Sequence, residues 1–162
     1  MKDAVPFCIQ SSLKILQNIN LCEITTKRIE EILKKWLMEY GKADITEITT
    51  ESIEAMGGGY AIYKTPQRSE KKYLDGSKEI TEHYSFFTRR NSQLDEECIA
   101  NNIFLEELAD WIEGRDIDED YPQMPAGMKC QEIGVEDNSI LLQEDRETIY
   151  QLTIAITYLK ER

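Results

Sequence analysis

The order of secondary-structure signals between residues 57 and 160 constrains the fold of this chain more than any other feature. A hairpin with an Asp75-Gly76 turn leads into one long amphipathic helix, and a loop rich in proline, methionine and glycine precedes a long alternating strand. Strands and helices in this order predict a small α+β module. The order leaves no insertion large enough to build a separate pocket, so we expect function to reside in surfaces.

The hairpin is predicted from two segments rich in β-branched and aromatic residues, residues 60–64 and 80–88. Both segments are typical of strands. The Asp75-Gly76 pair between them tolerates the positive φ values of a tight type I′ turn. Residues 65–72, which precede this turn, are expected to form a mixed-charge loop at the tip of the hairpin.

The mixed-charge loop supplies the candidate binding site. On a strongly acidic protein, cations at a hairpin tip favour docking to an acidic partner surface. A solvated loop without a partner is the alternative, because charges at an interface rim tune encounter rather than affinity. The candidate partner-binding residues are Pro66, Gln67, Arg68, Lys71, Lys72 and Tyr73.

A long amphipathic helix is predicted after the hairpin. Asn91 or Ser92 offers an N-cap, carboxylates follow in the first turn, and Gly114 is expected to end the helix. Apolar residues recur at helical spacing, so one side of the helix is expected to pack on a sheet, with Cys98 as a small core residue. The apolar stripe comprises Leu94, Cys98, Leu105, Leu108 and Ile112.

The closing segment of the chain alternates in polarity and predicts a strand with one buried and one wetter face. Residues 121–128, which lie before it, form a rigid loop whose methionines are interpreted either as adaptable contacts or as part of a simple linker. The strand residues expected on the buried face are Thr148, Tyr150, Leu152, Ile154, Ile156 and Tyr158, while Gln151, Thr153 and Thr157 face the other way.

A second helix is predicted in the N-terminal third, capped by Thr25 or Thr26 and ended at Gly41. Its apolar stripe contains Ile29, Ile32, Leu33, Trp36, Leu37 and Tyr40. Residues 44–50 carry many β-branched side chains and predict an edge strand.

No constellation of residues predicts catalysis, a metal or a cofactor. His83 lies in a predicted strand without a nearby acid–base partner and is interpreted as a surface or interface residue. Residues 116–120 imitate the first ligands of a calcium loop, but Tyr121 and Gly127 stand where Gly and a bidentate Glu are required, which favours a solvated acidic loop. Residues 57–59 are three glycines without a following helix, so we predict a flexible turn rather than a phosphate loop.

Composition limits the partners of the chain. A length of 162 residues suits one domain, which we place at residues 25–162 after an N-terminal arm or short helix at residues 1–24. A net charge of −12 argues against tight binding of nucleic acid, because phosphate contacts need clustered cations. No apolar run approaches the ~20 residues of a membrane span, and no secretory signal is evident, so we expect a cytoplasmic origin.

Four segments of the chain resemble the minor capsid or tail completion proteins, also called tail terminators, of long-tailed phages and prophages of Gram-positive bacteria. They are the run "MGGGYAIYKTPQRSEKKYLDGSKEITEHYSFFTRR", the helix "LEELADWIE", the loop "YPQMPAGMKCQEIGV" and the closing strand "ETIYQLTIAITYL". The resemblance spans roughly residues 20–160 and rests on the order of elements and on a few loop residues.

The resemblance implies a ferredoxin-like two-layer sandwich, with a mixed or antiparallel sheet of four to five strands and two main helices on one face. It also implies a homo-oligomeric ring, usually a hexamer, at the head-proximal end of the tail tube. Such a ring stops tube growth and offers a surface to the head completion or connector protein in the virion. An acidic wall would let DNA slide through the lumen without sticking.

An acidic inhibitor or antitoxin-like protein is the alternative that the composition allows. Its negative surface would mimic nucleic acid and block a basic host enzyme. The placement of charge separates the two hypotheses, because mimicry needs most carboxylates on one outer face. A small-molecule enzyme would instead need a concave pocket with converging polar groups.

Overall fold

The computed structural model describes residues 29–41, 45, 48–49, 59–143 and 146–162. Helix α1 covers residues 29–38. The following elements are strands β1 (Ile48–Thr49), β2 (Tyr60–Lys72) and β3 (Lys78–Asn91), helix α2 (Asp95–Ile117), and strands β4 (Met128–Gln143) and β5 (Glu147–Lys160).

The strands form one mixed sheet in the order β1-β2-β3-β5-β4. The short β1 runs parallel to β2, and the other neighbouring strands are antiparallel. Strands β3 and β4 therefore run parallel to each other with β5 between them, and α2 connects them as in a split β-α-β unit. This arrangement confirms the predicted α+β fold, a ferredoxin-like two-layer sandwich.

Both helices pack on one face of the sheet and share one core. The side chains of Trp36 on α1 and Trp111 on α2 lie with ring centroids 4.8 Å apart, and the ring of Tyr40 packs edge-on against Phe104. Strand β5 confirms the predicted alternation, because its even-numbered residues from 148 to 158 are all buried. The stripe of α1 is also confirmed, except that Ile32 is half-buried.

The hairpin differs from the prediction in two respects. Residues 65–72 are not a loop but the outer part of strand β2, which pairs with β3 as far as Lys72. The turn is not type I′, because Leu74 and Asp75 have negative φ and only Gly76 is left-handed, at φ +89°. The backbone N–H of Gly76 donates to the carbonyl of Tyr73. The hairpin loop is therefore of the three-residue type, in which a turn is followed by one left-handed residue.

Helix α2 begins and ends later than predicted. Its N-cap is Leu94, whose side chain is exposed instead of contributing to the core, and the Glu97 carboxylate accepts the Leu94 backbone N–H at 3.3 Å. Gly114 lies inside the helix, because Arg115 and two further residues continue it. The left-handed residue that follows the helix is Glu119, at φ 54°.

The prediction that Cys98 is a small core residue was wrong. Cys98 is only half-buried and its thiol lies 3.7 Å from the carbonyl of Ser92, whereas Cys130 is in the core. Burial raises the pKa of the Cys130 thiol to about 12, so this thiol is protonated at neutral pH.

The N-terminal predictions are tested only in part. Gly41 follows α1 with φ +65°, as expected for a helix-ending glycine, and β1 occupies the predicted edge position. Gly59 leads directly into a strand. The arm at residues 1–24, both candidate caps of α1 and the first two glycines of the Gly-rich turn lie outside the described residues.

Candidate functional site

The predicted partner-binding residues lie together on the outer half of the β2–β3 hairpin. We call residues 65–82 the outer hairpin. All six candidates, Pro66, Gln67, Arg68, Lys71, Lys72 and Tyr73, are exposed, the first five on β2 and the sixth at the start of the turn. The structure thus brings them to one segment, but as an extended strand whose side chains alternate between the two faces of the sheet and not as a loop.

An irregularity in β2 shapes the start of this surface. Lys64 pairs with Tyr84 and Arg68 with Glu82, so three residues of β2 lie opposite one residue of β3. Pro66 lies within this bulge, where the lack of an N–H costs no ladder hydrogen bond. The Thr65 hydroxyl donates to the backbone carbonyl of His83 at 3.1 Å and fixes the bulge to the sheet.

Ion pairs organise the side of the outer hairpin that shares a face with the helices. The Glu82 carboxylate is buried and accepts from Lys64 Nζ at 2.7 Å, from the Tyr84 hydroxyl at 3.0 Å and, more distantly, pairs with Arg68 Nε at 3.5 Å. Glu70 pairs with Lys78 at 2.9 Å. Hydrogen bonding to Lys78 lowers the pKa of Glu70, which keeps this carboxylate ionised in mildly acidic solution.

The other side of the outer hairpin carries one exposed aromatic ring with a lysine beside it. Lys71 Nζ lies 5.0 Å from the centroid of the Tyr73 ring, and the Tyr73 hydroxyl donates to Glu79 Oε2 at 2.6 Å. The hydrogen bond with Tyr73 raises the pKa of Lys71. These contacts hold a cation and a half-exposed ring in a fixed arrangement that a protein partner can recognise.

The turn presents one residue that sequence reasoning missed. The side chain of Leu74 is fully exposed at the tip of the hairpin. Asp75 Oδ1 accepts from the backbone N–H of Ser77 at 2.9 Å and from its hydroxyl at 2.6 Å, so the turn that carries Leu74 is ordered. A leucine between a tyrosine and Asp-Gly is unusual in a turn, and this was the available signal. Ile117, the last residue of α2, is 81% exposed.

The opposite end of the sheet has a second exposed apolar group, formed by Leu94, Ile99 and Ile103. Beside it lies a cleft of about 860 Å³ at the far ends of β2 and β3. In its wall the Arg90 guanidinium lies 4.0 Å from the Phe104 ring and donates to the Tyr60 hydroxyl at 2.8 Å. The charged lining, Arg89, Arg90, Glu97, Glu107 and Glu147, mixes both signs and therefore selects neither an anion nor a cation.

The remaining polar motifs do not converge on a reactive centre. His83 is buried, contrary to the surface position we expected, and its Nε2 lies 3.1 Å from Glu136 Oε1 while Nδ1 lies 3.3 Å from the Gln67 carbonyl. In the acidic segment, Asp116 accepts the backbone N–H of Ile133, whereas Asp120 forms an ion pair with Arg115. These carboxylates serve different partners, and no group of three potential metal ligands occurs among the described residues.

Met124 and Met128 of the Pro/Met/Gly loop are half-buried and pack against the core, so they act as packing residues of the sandwich. Neither helix in the described part of the chain has the length and apolar character to cross a membrane. The sequence matches no protein-family model and no curated protein.

Proposed function

We propose that this protein is a tail completion, or tail terminator, protein of a long-tailed phage or prophage of Gram-positive bacteria. Copies of the chain assemble in the host cytoplasm into a ring, which the resemblance makes a hexamer, at the head-proximal end of the tail tube. The ring stops tube polymerisation and provides the joining surface for the head completion or connector protein. The protein then remains in the virion.

The observation that carries this proposal is that the two ends of one sandwich both expose large apolar side chains. Leu74 lies in the turn that ends the sheet, Ile117 is the last residue of α2, and Leu94, Ile99 and Ile103 lie at the start of α2, towards the other end of the sheet. Apolar side chains that are exposed together as one patch mark sites of protein contact. A subunit stacked between a tube and a connector needs such groups at opposite ends, with a rigid body between them.

The distribution of carboxylates favours this role over mimicry of nucleic acid. The exposed carboxylates of α2 include Glu106, Asp110 and Glu113, which lie in the helix layer. Glu132 and Asp137 are exposed on β4. They pair in register with threonines of β5 that face away from the helices, so these two carboxylates lie on the opposite face of the sheet. Negative charge is therefore spread over both faces, whereas a mimic concentrates it on one.

The first test is the solution mass of the protein with and without tail tubes polymerised from the tube protein of the same phage. We expect light scattering to detect a closed hexamer, or a monomer that becomes a hexamer on the tubes, and electron microscopy to show tubes that no longer elongate. A strict monomer that ignores tubes and instead binds a basic host enzyme would overturn the proposal in favour of the inhibitor.

A matched pair of variants then asks which end of the sandwich meets the tube. Leu74→Ser removes the apolar tip of the turn, and Ile103→Ser removes an exposed apolar group near the other end. We expect Leu74→Ser to abolish capping of tubes and Ile103→Ser to retain it, with both variants folded. Loss of capping by Ile103→Ser alone would reverse the proposed orientation of the subunit.

A further inference from the structure

We infer that a row of three lysines at one end of the sheet recognises the tail tube, and that the tube surface it meets carries carboxylates. The row consists of Lys72 of β2, Lys78 of β3 and Lys160 of β5, and we call it the lysine row. It lies at the end of the sheet where the turn joins β2 to β3. This inference rests on the proposed function and adds to it the chemistry of one partner surface.

The pairing of the strands places the three lysines side by side. Lys72 is in register with Lys78, and Lys78 is in register with Lys160. Because side chains two residues apart share a face, the lysine row lies on the same face as the buried Ile80 and Tyr158, one row further out. Neighbouring strands are about 5 Å apart, so the three side chains start within about 10 Å of one another.

The lysine row is short of negative charge. Glu70 on the same face pairs with Lys78 at 2.9 Å and more distantly with Lys72 at 3.9 Å, and it is shared with Arg68. Lys160 is exposed and forms no ion pair with any residue that the structure describes. Like charges directly opposite each other on neighbouring strands destabilise a sheet. The row therefore costs stability, and such local conflicts are typical of functional sites.

The other carboxylates near the turn do little to neutralise the lysine row. Asp75 accepts two hydrogen bonds within the turn, and Glu79 accepts a tyrosine hydroxyl on the other face of the sheet. Glu161 is exposed next to the row, but the side chain of Arg162, which lies against Gly76, offsets its charge. The ammonium groups of the row are thus left for carboxylates of a partner.

The turn adds an apolar side chain to this charged surface. Leu74 is fully exposed between the two strands that carry Lys72 and Lys78, and hydrogen bonds to Asp75 order the turn around it. A contact that buries Leu74 places the lysine row at the rim of the interface. Charges at a rim set the orientation and the rate of association.

The charge of the whole chain makes this contact directional. With a net charge of −12, the chain repels an acidic partner over most of its surface and attracts it at the lysine row. Nucleic acid is not the favoured partner, because tight binding of phosphates needs more clustered cations than three lysines that share a carboxylate. A carboxylate-bearing protein surface needs only a few opposite charges around an apolar centre, which the row and Leu74 supply.

Charge reversal in the lysine row tests the inference. Lys72→Glu with Lys160→Glu reverses its two exposed members and leaves the ion pair between Lys78 and Glu70 in place. We expect this double variant to need at least about tenfold more protein than the wild type to stop elongation of tubes grown from the tube protein of the same phage. Tube lengths in electron micrographs are the measurement. The wild type should also need more protein as salt is added, because salt screens exposed charges.

The matched control reverses two exposed cations elsewhere. Lys35→Glu with Arg146→Glu changes the net charge by the same amount, but on α1 and at the opposite end of β5. This control should stop tube elongation like the wild type. Loss of capping by the control as well would show that overall charge matters and not the row, which overturns the inference. Circular dichroism of every variant establishes that loss of capping is not loss of folding.

A single neutral substitution separates a contact role from a structural one. Lys160→Gln keeps most of the side chain and removes one of the two like-charge neighbours of Lys78. We expect a urea midpoint that is unchanged or higher, together with weaker capping of tubes. A clear fall in the midpoint would show that the row supports the fold, and it would overturn the inference.

The outcomes also separate this inference from the proposed function. Capping by the lysine-row variant that equals wild-type capping overturns the inference and leaves the tail-terminator proposal intact. A wild-type protein that has no effect on tubes overturns both. Binding of duplex DNA that the lysine-row variant loses, with capping retained, assigns the row to nucleic acid and overturns the inference alone.

Discussion

The two halves of the β2–β3 hairpin share the same strands and the same antiparallel pairing, yet they have opposite character. In the inner half, residues 60–64 of β2 lie beside residues 84–88 of β3, where Ile62, Tyr84 and Phe86 are completely buried. In the outer half, exposed charges replace the apolar side chains on β2. Backbone pairing is the same in both halves, so it does not decide whether a half stabilises the fold or presents a surface. What decides is whether other parts of the protein pack over the side chains of that half.

Two tyrosines make the comparison concrete. The Tyr84 hydroxyl is buried beside the Glu82 carboxylate, and burial, together with this negative charge, raises the pKa of Tyr84 far above its usual range. The Tyr73 hydroxyl also donates to a carboxylate, that of Glu79, but its ring is 37% exposed. The same residue type thus packs in the core in one half and offers a contact surface in the other.

The largest expected effect comes from truncating one side chain in each half. Ile62→Ala removes a fully buried side chain and leaves a cavity, so we expect the free energy of unfolding to fall by about 3 kcal/mol. Lys72→Ala, on the same strand but exposed, should change it by no more than about 0.5 kcal/mol. Urea denaturation measures both, and equal losses would break the comparison.

The boundary between the halves is tested at Glu82. Glu82→Gln removes the buried charge that pairs with Lys64 and Arg68, and we expect a loss of about 2 kcal/mol because a buried charge-assisted network is broken. Glu79→Gln, on the opposite face of the same strand, removes only the negative charge from the acceptor of an exposed tyrosine and should cost less than about 0.5 kcal/mol. Thermal unfolding of the pair is the measurement. A larger loss for Glu79→Gln would place the organising charge on the other face of the strand.

Replacing each of two glycines by alanine should change the free energy of unfolding in opposite directions. Gly76→Ala forces alanine to φ +89° and brings its Cβ to 3.0 Å from Arg162 Cδ, so a loss of about 1 to 2 kcal/mol is expected. Gly114→Ala lies in α2 with nothing within 4 Å, and it should stabilise the protein by about 0.5 to 1 kcal/mol. The midpoint of denaturation should fall for Gly76→Ala and rise for Gly114→Ala. Stabilisation by Gly76→Ala would contradict the described turn.

The smallest expected effect concerns the pH dependence of the turn. Hydrogen bonds from Ser77 lower the pKa of Asp75 in the folded protein. Their stabilisation is therefore present above the unfolded pKa of about 4 and is lost as pH falls through the lower folded pKa. Ser77→Ala should raise the Asp75 pKa in an NMR titration. An unchanged Asp75 pKa in that variant would contradict the hydrogen bonds described for the turn.

Part of the candidate site could be predicted from the sequence, because the three cations and the proline of residues 65–72 can be read directly from it. Their exposure follows from their polarity, and Asp75-Gly76 marks the turn. Their strand conformation could not be predicted, since residues such as Gln67 and Arg68 have little β propensity of their own. They are extended because β3, itself held by β5, supplies the neighbouring ladder.

What the sequence determined by itself is the set of periodic apolar patterns. The alternation along β5 and the stripe on α1 need only a periodicity of two or 3.6 residues to select a buried face, because burial of apolar surface drives folding. What the tertiary structure decided is the length of β2, the burial of His83 and Cys130, and the exposure of Leu74 and Leu94. These depend on which strands and helices lie alongside, and such neighbours are distant in the chain and leave no local pattern.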